Sequence, residues 1–307
     1  MNPIIMIAGW GHTAETMNGL SDALASGSDV SAVSIHDLAV NGNSPSPTNN
    51  PLQFSGVRRA IEPPLSVSRR IVAAVRANGN PRFCRTASIR QPTDCSDRSL
   101  ERQSCRRDKL TDGMSSYAEG LLSLIEEKGG SSMVIGWSLG GLVALETACN
   151  WPERVSRLVL VSATPRFCSG EGYSFGIPVQ NIRAMNLGLK REFHKTMTGF
   201  YRLAAEPFKE PLPAIRDQWN QVSGWIDELA GGLHYLMNTD LREDLHRIHS
   251  PVLMLHGRED HVIPWQAAAT ASRALPDSRL CLYDAVGHDL PLREPERLAE
   301  DIRGFLS

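Results

Sequence analysis

Short apolar runs alternate along this chain with stretches whose apolar residues recur every three to four positions, the mark of strands and helices taken in turn. Ile4–Ala8 reads as a buried strand that delivers the chain into Gly9-Trp10-Gly11. Met17, Leu20 and Leu24 follow at helical spacing, and Val30–Ile35 is a second strand ending at His36-Asp37-Leu38. Strand, helix and strand in so short a span form a βαβ unit, which calls for a parallel sheet. The rhythm returns with a helix through Tyr117, Leu121, Leu122, Leu124 and Ile125, stopped by Gly129-Gly130. An apolar run from Met133 leads to Ser138, and a helix carries Leu142, Val143, Leu145 and Ala148. Strands are predicted at Leu158–Ser162, Val252–His256 and Leu280–Tyr283, and a helix over Trp265–Leu275. Leu298, Ile302, Phe305 and Leu306 mark a final amphipathic helix.

Two stretches break this rhythm. Residues 41–109 are rich in Pro, Ser, Asn and Arg, with one helix-like patch near Ile71–Val75. Such a segment buries too little apolar surface to offset the entropy of ordering it, so an insertion, loop or disordered, is expected. Its many arginines read as a solvated basic loop. Residues 165–241 are helical and interrupted by glycines. Over an expected helix Leu189–Leu203, Leu189, Phe193, Met197, Phe200 and Tyr201 share one face. Arg191, Lys195 and Arg202 fall within about 40° of each other on the other face. The prediction is an α/β fold with a mostly parallel, doubly wound sheet and an inserted helical cap. Its core is 1–40, 110–164 and 242–307, its insertion 41–109 and its cap 165–241.

Composition changes this picture little. The chain has 307 residues, enough for one large domain with an appended element. A formal net charge of −2 gives no reason to expect nucleic acid as a partner. Six cysteines are scattered without C-x-x-C pairing or metal-ligand spacing, so no metal is implied, and Cys149 and Cys281 read as buried free thiols. The first residues lack a basic leader and a long apolar run, and no stretch approaches the ~18–20 apolar residues that span a bilayer. A cytoplasmic monomer with no membrane association is the expectation.

The chemistry gathers around Gly136-Trp137-Ser138-Leu139-Gly140. A G-x-S-x-G between a strand and a helix is the elbow that lifts a serine hydroxyl above the sheet edge. That hydroxyl is a weak nucleophile and needs a base, which in turn needs a carboxylate to orient it. Both should arrive on loops at the carboxyl ends of later strands. Asp260 follows the strand Val252–His256, and His288 follows Leu280–Tyr283 in a Gly-preceded loop. Glu259 and Asp289 are rival carboxylates; one comes a residue early for a turn closed by Pro264, and the other adjoins the base. His12, His256 and His261 could line the site, whereas His194, His246 and His249 read as solvent-facing or packing. The amide of Leu139 is one candidate oxyanion donor, and the Trp10 amide, in the loop after the first strand, is the other.

Taken together these residues resemble the α/β-hydrolases, whose triad runs in the order Ser138, Asp260, His288. A narrower resemblance is to the pimeloyl-[acyl-carrier protein] methyl ester esterases of biotin synthesis. It is carried by Gly9-Trp10-Gly11, by Gly136 through Leu142, and by Pro152-Glu153-Arg154-Val155. Further pieces are Ser162 through Phe167, Phe193 through Phe200, Gly231 through Leu236, and Asp240-Leu241-Arg242. The resemblance implies that Trp10, Leu139 and Phe200 contact substrate, that no cofactor is needed, and that the substrate rides on acyl carrier protein. Arg191, Lys195 and Arg202 would then face that acidic carrier. Ala8 stands where such hydrolases carry a histidine, Ala204 where these esterases carry a glutamine, and 41–109 has no counterpart in them.

The expectation is a serine carboxylic ester hydrolase working through an acyl-enzyme, most closely a methyl ester esterase. A broad carboxylesterase, an acyltransferase or lyase on the same fold, and a non-catalytic binding module are the alternatives.

Overall fold

The computed structural model describes residues 3–25, 29–42, 115–213, 215 and 218–307. Six parallel strands form one sheet: β1 Ile4–Ile7, β2 Val30–Val33, β3 Ser132–Trp137, β4 Val155–Val161, β5 Val252–Gly257 and β6 Ser278–Tyr283. They lie in the order β2-β1-β3-β4-β5-β6. Strands β1, β3 and β5 are buried at every position, as a parallel sheet covered on both faces requires. The two-residue period divides β1 between two cores. Ile5 and Ile7 join Leu121 and Leu142 on one side, while Ile4 and Met6 meet Met17, Leu20, Leu298 and Ile302 on the other.

The helices that cover the sheet include α1 Asn18–Leu24, α2 Ile35–Gly42, α3 Ser116–Glu127 and α4 Leu139–Asn150. Because β1 is followed outward by β2 while β3 leads the other way, the chain reverses direction between β1 and β3. A crevice opens at such a point, beyond the carboxyl ends of the two strands. Here those ends carry Gly9-Trp10-Gly11 and Ser138.

Three expectations need correction. The second strand stops at Val33, and Ile35 already begins α2. Ser34 and Asp37 cap that helix reciprocally: the Asp37 amide donates to Ser34 Oγ at 3.3 Å, and the Ser34 amide donates to Asp37 Oδ2 at 2.7 Å. Ser-x-x-Asp is a readable helix start, but the composition that follows points to an insertion from residue 41. Helix α2 runs into that segment as far as Gly42, and the rest of it, with the patch at Ile71–Val75, lies outside the described residues.

Second, the helix expected over Leu189–Leu203 is two helices, α5 Val179–Arg191 and α6 Phe193–Ala205. Glu192 breaks them with φ −143° and ψ 55°. Gly188 lets Thr196 fold back against α5, since a Cβ there would meet Thr196 Oγ1 at 2.4 Å. Arg191 therefore ends α5, whereas Lys195 and Arg202 belong to α6, and the three do not share one helical face. Third, Cys281 is only half-buried, though Cys149 is buried as expected.

Two further helices, α7 Trp219–Val222 and α8 Ile226–Asn238, complete the segment between β4 and β5. Its two ends are pinned together. Arg166 and Asp240 form an antiparallel bridge, and the Leu241 amide donates to Pro165 O at 3.0 Å. Arg166 Nη1 lies 2.5 Å from Asp240 Oδ2, and Arg242 Nε lies 2.8 Å from Oδ1. Both guanidinium groups lie over the Tyr173 ring, at 5.9 and 5.2 Å. After β5 come α9 Trp265–Ala274, then α10 Leu290–Arg293 and α11 Pro295–Leu306. Among the described residues no helix is long and apolar enough to cross a membrane.

Candidate active site

Ser138 stands between β3 and α4 with φ 55° and ψ −117°, a region that a non-glycine residue enters only under strain. Its surroundings hold it there. The Ser138 amide donates to Val161 O at 2.9 Å, and its carbonyl accepts from Gly141 and Leu142 at 3.0 and 3.2 Å. The turn is this tight because Gly136 and Gly140 lack side chains: a Cβ on Gly136 would fall 2.5 Å from Gly140 O, and one on Gly140 2.6 Å from Ile7 O.

His288 reaches the serine from the loop after β6. Its Nε2 lies 2.9 Å from Ser138 Oγ, and its Nδ1 lies 2.8 Å from Asp260 Oδ2. Asp260 is itself fixed, because Oδ1 accepts from the amides of Val262 and Ile263 at 2.9 and 2.7 Å. His256 donates Nε2–H to Ile263 O at 2.8 Å and stands 3.3 Å from Asp260 Oδ2. Burial alone would raise the Asp260 carboxyl, but the His288 charge and hydrogen bonds from both imidazoles hold it well below the usual carboxylate range. The carboxylate is thus ionised and aimed at Nδ1, which leaves Nε2 facing the serine hydroxyl as an acceptor.

The rival groups fall elsewhere. Glu259 is exposed. Asp289 is buried, but it pairs with Arg293 at 2.8 Å, and burial raises its carboxyl. His261 pairs with Glu206 at 3.7 Å on the surface, and His194, His246 and His249 are exposed.

Trp10 and Leu139 lie side by side under α8. The Trp10 indole donates to Leu229 O at 2.8 Å, and its ring meets Phe200 edge to face at 5.0 Å. Gly232 of α8 packs onto both residues; a Cβ there would stand 2.9 Å from Trp10 Cδ1 and 3.1 Å from Leu139 Cδ2. Leu139 opens α4, and the first amides of a helix have no partner within it. A small pocket beside Trp10 is lined by His12, Ile35, His36, Trp225, Glu228 and Leu229, with Gly9 and Gly11. In that lining His36 stacks flat on Trp225 at 4.6 Å, with Nδ1 3.5 Å from Glu228. Gly9, also in the lining, packs beside the Ser138 Cβ.

Phe200 therefore joins the Ser138, His288, Asp260, Trp10 and Leu139 group, whereas Arg191, Lys195 and Arg202 are exposed and outside it. Lys195 is paired with Glu192 at 3.0 Å. Two contributions were not legible beforehand. Trp137 donates its indole N–H to His288 O at 3.0 Å. Arg183, Leu187, Lys190 and Arg191 share the outward face of α5, a helix without an acid.

The fold and this geometry define a hydrolase of the α/β class, and residues 2–295 match the family model described as alpha/beta hydrolase fold. The chain belongs to that family. Among its relatives is a pimeloyl-[acyl-carrier protein] methyl ester esterase of Nitrosomonas europaea, 33% identical over 55% of this chain and 68% of the relative. A second of that name, from Vibrio vulnificus, is 32% identical over 59% of this chain and 72% of its own length. Solved structures of the same fold include an esterase from Exiguobacterium antarcticum, with a TM-score of 0.66 at 18% identity over 100% of this chain and 92% of the other. A bromoperoxidase from Bacillus anthracis has a TM-score of 0.69 at 15% identity over 99% and 91%.

Proposed function

We propose that the chain hydrolyses carboxylic esters through an acyl-enzyme formed on Ser138. The observation that carries this reading is the unbroken line from Ser138 Oγ through His288 to Asp260, with contacts of 2.9 and 2.8 Å. Nε2 of His288 takes the hydroxyl proton as Oγ attacks the ester carbonyl. Asp260 steadies the imidazolium without being protonated itself. The Leu139 and Trp10 amides receive the oxyanion. His288 then returns its proton to the departing alcohol, and a water activated the same way releases the acid.

The finer reading is a methyl ester of a pimeloyl chain on acyl carrier protein, with methanol as the leaving alcohol. It is supported by the relatives of that name at about a third identity and by the acid-free outer face of α5. An acidic carrier would meet Arg183, Lys190 and Arg191 around Leu187, which is 50% exposed. This face replaces the one expected from Arg191, Lys195 and Arg202. In this proposal the segment 165–241 acts as the cap that receives the carrier.

Ser138→Ala is the first test. Activity falls at least a thousandfold, and a fluorophosphonate probe that labels the native protein at Ser138 no longer reacts; retained activity, or labelling elsewhere, overturns the reading. Lys190→Glu with Arg191→Glu tests the partner. KM rises for carrier-bound pimeloyl methyl ester and not for short free esters, and an equal effect on both removes the docking face.

A further inference from the structure

His12 sits on the same turn as Trp10, closed by the hydrogen bond from the His12 amide to Gly9 O at 3.2 Å. Its ring is packed on three sides: Trp137 at 4.4 Å, Tyr201 at 5.4 Å and Phe200 at 6.3 Å between ring centres. The residue is only 4% exposed, and it lines the pocket together with Gly9, Trp10 and Gly11. Neither ring nitrogen has a hydrogen-bond partner among the described residues. Its neighbours explain its shape but not its chemistry, because phenylalanine would fill the same aromatic nest without two buried polar atoms. Burial, and the charge of the nearby His288, hold the imidazole down to about 3. The ring is thus neutral in working conditions and offers one N–H donor and one bare acceptor nitrogen.

We propose that His12 is a specificity-determining residue whose ring binds a second oxygen function on the acyl part of the ester, either a hydroxyl or a carbonyl. Tyr201 does not compete for this role, since its hydroxyl donates to Gly11 O at 2.6 Å. Nor does the Trp10 indole, which is committed to Leu229 O. Of the polar side chains lining the pocket, His12 is the one with both hydrogen-bonding atoms buried and unengaged by the described residues, whereas His36 Nδ1 has Glu228 at 3.5 Å. An acyl chain that supplies an oxygen here is favoured. An unbroken hydrocarbon leaves the imidazole desolvated and unpaired, and the penalty falls on that substrate.

The inference rests on Ser138 being the nucleophile and is independent of which carrier delivers the acyl group. Its test compares kcat/KM for three methyl esters: methyl octanoate, methyl 3-hydroxyoctanoate and dimethyl pimelate. The last two place the second oxygen near the ester and at the far end of the chain, so they separate the two sources. Native protein prefers one of them over methyl octanoate by about tenfold or more, the scale of one buried hydrogen bond. His12→Phe, which keeps the aromatic packing, abolishes that preference chiefly through KM. His12→Gln or His12→Asn, each with a donor and an acceptor, restores it in part. Equal use of all three esters by the native protein, or a preference that survives His12→Phe, overturns the inference and leaves the nucleophile intact. Failure to hydrolyse any ester, with no labelling by a fluorophosphonate, instead overturns the reading of Ser138.

Discussion

Trp137 and His288 are joined by a hydrogen bond of 3.0 Å from the indole N–H to the backbone carbonyl. The residue immediately before the proposed nucleophile therefore holds the loop that carries the proposed base. Trp137 is fully buried, and its ring also supports His12. Trp137→Phe keeps most of the packing but leaves the His288 carbonyl unpaired in the interior, at a cost of about 1–3 kcal/mol. The expected outcome goes beyond that loss of stability. The rate of labelling by a fluorophosphonate falls by about ten- to a hundredfold at temperatures where the variant remains folded, because the imidazole is less well aimed. A lowered denaturation midpoint with an unchanged labelling rate would reduce the contact to a structural one.

Gly232 makes a second claim on the same machinery. Its missing side chain lets α8 lie directly on Trp10 and Leu139, whose amides are the proposed oxyanion donors. The Trp10 ring cannot retreat freely, since its indole is tied to Leu229 O of the same helix. Gly232→Val forces an extra branched side chain into that contact, costing about 1–3 kcal/mol by overpacking. Displacement of the two amides should lower kcat by tenfold or more. Gly231→Ala is the control. Its Cβ would meet only the Tyr117 hydroxyl, at 3.1 Å, so kcat should hold while the helix gains propensity.

These two contacts show where the sequence was readable and where it was not. The elbow, the late acidic loop and the late histidine loop each carry a local signature, so Ser138, Asp260 and His288 could be singled out one at a time. The buried strands were legible because they are short apolar runs bounded by turns. The Ser34–Asp37 cap was also written locally, yet the unusual segment that follows concealed α2. By contrast, Trp137 with His288 and Trp10 with Leu229 lie 151 and 219 residues apart, and no periodicity announces such pairs. The break at Glu192 escaped for a related reason: helical spacing continues across it, and only the folding back of Thr196 onto Gly188 ends the helix.

Asp240 and Arg166 close the helical segment at its base. Both side chains are partly open to solvent, so Asp240→Ala should cost only about 1 kcal/mol of global stability. The local effect is larger, because the same carboxylate holds Arg166 and Arg242 over Tyr173. Limited proteolysis should cut within 165–241 several times faster in this variant, and KM should rise more than kcat falls. Unaltered proteolysis would mean that the backbone bridge suffices without the charges.

His12 also gives stability a particular dependence on pH. Its conjugate acid is held at about 3 in the folded protein, against about 6.5 for an ordinary histidine. Below pH 6.5 the unfolded chain takes up a proton that the native state refuses, so unfolding is favoured as the pH falls. The loss grows by up to about 1.4 kcal/mol per pH unit and levels off near pH 3, where the native ring is also protonated. Other groups titrate in this window, so the informative quantity is the difference between native protein and His12→Phe. Urea midpoints at pH 7, 5.5 and 4 should show the native protein losing ground against the variant at each step down. Parallel midpoints across that range would mean that the native fold opens enough to admit the proton at His12. Its ring would then not be the neutral donor and acceptor that substrate selection requires.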